Sequence, residues 1–319
     1  MVNYVLGVDV GGTKILIGLM DGQHNLIEPR SFPTGTANQQ AVIASISDAI
    51  EIYIANLAQK PAAIGLGLAG YVNAAAGIWE DAMNLRIEDP VPICDMFSKL
   101  FDIPVFADND VRTATMAEIQ MGAGQRTKDF IYINIGTGIA AGMVCGGHLI
   151  RGVSNYAGEL GHMVSGTWER GCKCGRKGCL EPMASGGGII QAAKEGLKHY
   201  PNSSLKGFNI HAGIVYKEAE KGDELARMIA EDAIRALEES VVNLVNLLNP
   251  SLIVFGGGAL EQGLIFSRVK RYVYENSLPA AAQALEDICL SVLNPAEVGV
   301  MGACILAKHK LEEGVTQHA

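Results

Sequence analysis

The chain has 319 residues, enough for two domains of ordinary size. Hydrophobic residues make up 49% and charged residues 18%, which is the balance of a soluble globular protein, and no stretch holds the ~20 consecutive apolar residues of a membrane span. The 34 acidic residues outnumber the 25 basic ones and no long basic run exists, which argues against a nucleic-acid partner; the absence of a basic leader before the first strand predicts a cytoplasmic location.

The first predicted element is an apolar, β-branched strand from Tyr4 to Asp9. Gly11-Gly12 turns the chain into a second strand, Ile15 to Met20, and Asp21-Gly22 into a third near Leu26. Helical apolar spacing follows over Ala41–Ala58, then short strands at Ala63–Leu68 and Val105–Ala107, and a helix over Val111–Met121. The opening unit then returns. Phe130–Ile135, the turn Gly136-Thr137-Gly138, Ile139–Cys145, the turn Gly146-Gly147 and His148–Ile150 repeat strand, glycine turn, strand, turn, strand. Helices over Ala184–Leu197 and Leu225–Leu248, a strand Leu252–Phe255 ending in Gly256-Gly257-Gly258, and a last helix from Gly299 to Lys310 complete an α/β pattern. The repeat predicts two similar domains, residues 1–115 with the C-terminal helix (299–319) packing back on them, and residues 116–298.

The glycine turns are candidate phosphate sites, because backbone N–H groups can approach an anion where side chains are missing. In the first, Asp9-Val10-Gly11-Gly12-Thr13-Lys14, Thr13 adds a hydroxyl, Lys14 a cation, and Asp9 a hard oxygen ligand suited to Mg²⁺ through water. An ordinary hairpin turn explains that loop alone equally well. A second loop, Gly136-Thr137-Gly138, at the matching place in the repeat makes a shared polyphosphate site the better reading, and Gly256-Gly257-Gly258 offers bare backbone to a nucleoside. None of the loops has the spacing of a P-loop or a dinucleotide fingerprint.

His162, Cys172, Cys174 and Cys179 supply three thiols and an imidazole, the donor set of a closed structural Zn²⁺ site. Gly171, Gly175 and Gly178 permit the turns between them. Glu159 and Glu181 flank this loop, and a rigid loop would hold both carboxylates ready to accept hydrogen bonds from a polyol. The remaining cysteines, Cys94, Cys145, Cys289 and Cys304, read as small buried hydrophobes.

Asp108-Asn109-Asp110 stands between a strand and a helix. One of the three is expected to cap the helix. Asp110 is also a candidate base for an attacking hydroxyl, which is what phosphoryl transfer asks of a carboxylate, and Asn109 a candidate sugar contact.

Taken together, Asp9-Val-Gly-Gly-Thr-Lys14, Asn109-Asp110, Gly136-Thr-Gly-Ile139, Gly158-Glu-Leu-Gly-His162, Cys172-Lys-Cys-Gly-Arg-Lys-Gly-Cys179-Leu-Glu181 and Ala184-Ser185-Gly186 resemble the ROK family of sugar kinases and repressors, of the actin/hexokinase-like superfamily. The resemblance implies two actin-like (ribonuclease H-like) α/β domains with a cleft between them, and an ATP-dependent, glucokinase-like hexose kinase. Asp110 would be the catalytic base, and Asn84, Asn109, Glu159, His162 and Glu181 would contact the sugar, His162 while also binding zinc. ATP, Mg²⁺ and structural Zn²⁺ are the implied cofactors, and a homodimer or dimer of dimers the implied assembly. Met83-Asn84-Leu85-Arg86 lacks the family's usual proline, Ile87-Glu88-Asp89-Pro90 departs from the glucokinase pattern, and Ala140-Ala141 replace common glycines. These changes bear on which hexose is used: glucose first, with an N-acetylhexosamine, fructose, allose or a β-glucoside as alternatives. Repressors of the family carry an added helix-turn-helix, for which the position of Asp9 leaves no room, and Asp9, Lys14, Asp110 and Glu159 speak against a silent sugar-binding protein.

Overall fold

The computed structural model describes residues 4–166, 168–258 and 263–316. It divides into two units: Met1–Arg126 with Leu149–Ala157 and Val292–Ala319, and Thr127–His148 with Gly158–Ser291. The first unit therefore runs past residue 115, takes in a short internal segment, and regains the chain at Val292.

In the first unit, β1 (Val5–Val10), β2 (Lys14–Met20), β3 (Leu26–Pro33), β4 (Ile64–Leu68) and, after the β5 (Tyr71–Asn73) and β6 (Ile78–Asp81) hairpin, β7 (Val105–Asn109) form the strands. The five-stranded sheet has the order β3-β2-β1-β4-β7. β1 runs antiparallel to β2 and parallel to β4, and β4 parallel to β7. In the central strands, β4 is buried throughout and β1 everywhere except Asp9, in keeping with their largely apolar sequences. Helices α1 (Gln39–Ile54), α2 (Ile93–Phe101) and α3 (Asp110–Met121) belong to this unit. Val42, Ile46, Ala49, Ile50 and Tyr53 form the buried stripe of α1, and Asn38 caps it by accepting from Ala41 N. The C-terminal helix, Val298–Thr316, lies on β1 and β4 at backbone distance. A Cβ on Gly7 would stand 2.3 Å from Val300 O, and one on Gly65 1.9 Å from Ala303 O, so the strand glycines are what let the helix in.

The second unit repeats the plan. β8 (Phe130–Ile135), β9 (Ile139–Cys145), β10 (His148–Leu149), β11 (Leu252–Gly256) and β12 (Asp287–Leu290) form a sheet of order β10-β9-β8-β11-β12. β8 is antiparallel to β9 and parallel to β11, and β11 parallel to β12. Its helices are α4 (Glu181–Ala184), α5 (Gly186–Gly196), α6 (Ala212–Glu220), α7 (Glu224–Leu248), α8 (Gly263–Asn276) and α9 (Pro279–Ala284). The long α7 is capped by Asp223 and ends at a left-handed Asn249, before Pro250.

Two expectations need correction. The helix predicted over Ala184–Leu197 is α5 and starts two residues later, because Ser185 is extended and caps it by accepting from Gly188 N, while Ala184 ends α4. The break lets Gly186 N and Gly187 N donate to Gly136 O and Thr137 O, docking α5 on the second glycine turn. Cys145 is exposed rather than buried, since it ends β9 at the Gly146-Gly147 turn. The elements β5, β6, α2, α6, α8, α9 and β12 are not among those expected from the sequence.

Candidate active site

In the first unit the site grows from three chain ends. Asp9 stands one residue before the end of β1, and its half-buried carboxylate lies under the start of the C-terminal helix, where a Cβ on Gly299 would stand 2.4 Å from Asp9 Oδ2. Burial, then the negative charge of Asp110, push the Asp9 carboxyl up to about 7, against an opposing pull from Lys14. Gly67 makes room on the other side, since its Cβ would meet Thr113 Oγ1 at 2.8 Å and Asp9 Oδ1 at 3.7 Å. Asp9 and Asp110, distant in sequence, thus face one another electrostatically beside the first glycine turn.

That turn is held by Gly11 N donating to Lys14 O and by Thr34 Oγ1 donating to Gly11 O. Gly12, Thr13 and Lys14 are exposed. No protein atom lies within 4 Å of where a Gly12 Cβ would be, so the chain's own packing does not demand that glycine.

Asn109 is the N-cap of α3, its Oδ1 accepting from Val111 N and Arg112 N. Its Nδ2 donates to Gly70 O at 3.0 Å and to Asp110 Oδ1 at 2.9 Å. Both acceptor positions and both donors of the amide are therefore engaged within the chain. Val111 N also donates to Asp110 Oδ1, at 2.9 Å, so two donors orient that half-buried carboxylate at a helix N-terminus. Asn84 stands exposed on the single turn Met83–Leu85, ahead of the left-handed Arg86.

In the second unit, Gly136-Thr137-Gly138 turns β8 into β9, with Gly136 N bonded to Gly138 O at 3.0 Å. Glu181, the first residue of α4, accepts from Ile139 N at 3.1 Å, and a Cβ on Gly138 would fall 2.5 Å from its Oε2. Glu159 follows Gly158, whose φ of +102° and close approach to Ala141 O exclude any other residue. Gly257 (φ +83°) packs on Ile135 O and beside Asn134 Oδ1, which brings the third glycine loop against the second. Gly256 is required by the Tyr132 hydroxyl, whereas Gly258, like Gly12, meets no neighbour.

The ligating atoms of His162, Cys172, Cys174 and Cys179 all lie within 4.8 Å of one another. Cys172 Sγ is 3.5 Å from His162 Nδ1 and Cys174 Sγ is 3.7 Å from Cys179 Sγ. A tetrahedron with metal–sulfur bonds of ~2.3 Å has sulfurs ~3.8 Å apart, so the four groups fit a metal ion of zinc's size. Gly175 and Gly178 make the turns at positive φ; Gly171 does not. Arg176 donates to Cys174 and holds its thiol down at about 6, while burial pushes Cys179 up to about 12, a penalty that a bound cation reverses.

Thr113, Gly67 and Gly299 were not apparent as site residues from sequence. They carry no motif, and only their approach to Asp9 reveals them. Asp108, considered in the sequence only as a helix cap, is instead a fully buried ion-pair partner of Arg112 and Arg151.

The sequence pattern of the ROK family matches residues 5–310. The chain belongs to the ROK family. It is 31% identical over 318 residues to a glucokinase of Halalkalibacterium halodurans, covering 96% of both chains, and 28% identical to an N-acetylmannosamine kinase of Escherichia coli, over 95% of this chain and 98% of that one. Among solved structures, a ROK family glucokinase from Streptomyces griseus in complex with glucose and AMPPNP superimposes with a TM-score of 0.80 at 27% identity, covering 96% of this chain and all of that one. A ROK family transcriptional regulator, a homologue of the E. coli MLC protein, gives 0.86 at 26% identity, with 98% of this chain and 79% of that chain covered. The two units are thus the two actin-like α/β domains of ROK proteins. No helix among the described residues is long and apolar enough to cross a membrane.

Proposed function

We propose that this ROK protein is an ATP-dependent hexose kinase, with glucose as the first substrate to test and the 6-hydroxyl as the acceptor. The observation that carries the reading is Asp110, set at the N-terminus of α3 with Oδ1 oriented by Asn109 Nδ2 and Val111 N, beside Asp9 and the first glycine turn. A carboxylate so held can accept the proton of a sugar hydroxyl as its oxygen attacks the γ-phosphorus in line. Asn109 acts chiefly on Asp110, and must exchange one of its present bonds to hold a sugar hydroxyl. Asn84, Glu159, His162 and Glu181 are the further sugar contacts; His162 turns Nδ1 to the sulfurs, which leaves Nε2 for the sugar.

Half-buried Gly11, the exposed backbone of Gly12 and Thr13, the Lys14 ammonium and the Gly136-Thr137-Gly138 turn hold the ATP phosphates, and Gly256-Gly257-Gly258 adjoins the nucleoside. Asp9 is the residue placed to hold Mg²⁺ through water, and the cation would neutralise charge on the transferring phosphoryl group. Zn²⁺ in the His162, Cys172, Cys174 and Cys179 site is structural, since four protein ligands leave no open position, and it stiffens the loop from which Glu159 and Glu181 extend. The assembly proposed is a homodimer or dimer of dimers, in the cytoplasm.

A panel of glucose, N-acetylglucosamine, N-acetylmannosamine, fructose, allose and a β-glucoside, scored by ADP release with MgATP, tests the reading. Turnover dependent on one of these sugars is expected; sugar-independent background throughout removes it. The likeness to the regulator supports a second reading, a sugar-responsive repressor, which predicts sugar binding without ADP formation.

A further inference from the structure

The segment Leu149–Ala157 belongs to the first unit although its neighbours in sequence belong to the second. Three attachments tie it down, and all three surround Asn109. Arg151 Nη1 donates to Asp108 Oδ2. Arg112, 4% exposed, donates through Nη2 to the carbonyls of Asn155 and Ala157. Tyr156 stacks on Tyr71, with ring centroids 4.1 Å apart and planes at 22°. Tyr71 in turn follows Gly70, the carbonyl that receives Asn109 Nδ2. The segment closes on itself through Ala157 N and Arg151 O, at 3.1 Å.

At the centre is Asp108, 0% exposed. A carboxylate with no access to water requires partners. Its Oδ1 accepts from Asn109 N at 2.9 Å and stands 3.5 Å from Arg112 Nη1, an ion pair without hydrogen-bond geometry. Its Oδ2 is held by Arg151 alone among the contacts described. Hydrogen bonds therefore link Arg151 to Asp108 and Asp108 to the Asn109 backbone, and the side chain on that backbone donates to Asp110 Oδ1.

The geometry points to Arg151 as a positioning residue for Asp110, acting through Asp108 and Asn109 while remaining outside the site itself. The inference rests on Asp110 being the base. Arg112 does not stand in for Arg151, because its Nη1 faces Asp108 Oδ1 at 3.5 Å rather than Oδ2, and its Nη2 is committed to the segment's carbonyls. With Arg151 removed, Asp108 Oδ2 loses its donor, and the strand end that sets the Asn109 peptide can turn. Misplacement of this kind acts on the chemical step more than on nucleotide binding.

The experiment compares Arg151→Met, Arg151→Gln and Arg151→Lys with the native chain and with Asp110→Asn, using glucose (or the panel sugar that turns over) and MgATP. The kcat, both KM values and the melting temperature are recorded. Arg151→Met is expected to lower kcat by about tenfold to a hundredfold with KM for ATP unchanged, and Arg151→Lys, which restores a cation beside Asp108, to recover much of the loss. Native kcat in Arg151→Met overturns the inference. So does a loss that Lys does not relieve and that follows the melting temperature, or the failure of both Met and Gln variants to fold, since each makes Arg151 a stability residue only. An active Asp110→Asn variant instead overturns the assignment of the base, whatever Arg151 does.

Discussion

Asn109 Nδ2 donates to Asp110 Oδ1 at 2.9 Å while Asn109 Oδ1 caps the helix on which Asp110 is the first residue. One side chain thus ends a strand, starts a helix and aims a carboxylate. Asp110→Asn is expected to reduce kcat by several orders of magnitude and to leave equilibrium sugar binding nearly intact. Asn109→Ala removes the cap as well as the aim, so it should lower stability by about 1 kcal/mol and kcat by about tenfold to a hundredfold. Chemical denaturation and steady-state kinetics on the same preparations separate the two effects.

The glycines of the three loops divide into those that packing demands and those it does not. A Cβ on Gly257 would fall 2.4 Å from Ile135 O at a φ of +83°, whereas a Cβ on Gly12 meets nothing. Gly257→Ala should therefore lower the melting temperature. Gly12→Ala should leave it unchanged and raise KM for ATP several-fold. Equal melting losses in the two variants would show that Gly12 is structural after all.

For the cysteine cluster, the expectation is one Zn²⁺ per chain by elemental analysis of freshly purified protein. Cys174→Ser should abolish it. Loss of a ligand should also lower the melting temperature, because metal binding to the folded chain stabilises it by mass action. Chelation of the native protein should reproduce the variant's melting curve.

Asp9 gives a pH dependence of defined sign. Its carboxyl is raised from 3.8 to about 7 by burial and by Asp110, so between those values the folded chain binds more protons than the unfolded one. Its contribution to stability therefore falls as pH rises through that interval, and the full penalty of the buried charge is present above about 7. Asp9→Asn should melt higher than the native chain at mildly alkaline pH, by on the order of a few degrees, and the advantage should vanish as pH falls towards the unfolded value. Melting curves with a chelator present, across pH, measure it.

Much of the arrangement is legible in the sequence. The two glycine-turn repeats read directly, because a strand buried on both faces is an apolar run and a tight turn needs Gly. The grouping of His162 with the cysteines is legible as well, since three of the four residues fall within eight positions. Asp110 stood out at a strand end, but the sequence could not say which of Asp108, Asn109 and Asp110 would cap the helix. That choice depends on where strand gives way to helix, and Asn109 is the last extended residue before α3.

Periodicity, turn chemistry and residue spacing are properties of neighbours along the chain, so the sequence by itself determined the strand repeats, the clustering of His162 with the three cysteines, and the family. Tertiary structure alone decided that Gly299 roofs Asp9, that Asp9 faces Asp110, and that Arg151 reaches Asp108. Those pairs join distant segments, and a buried charge finds its partner through the packing of whole elements, which leaves no local pattern in the residues on either side.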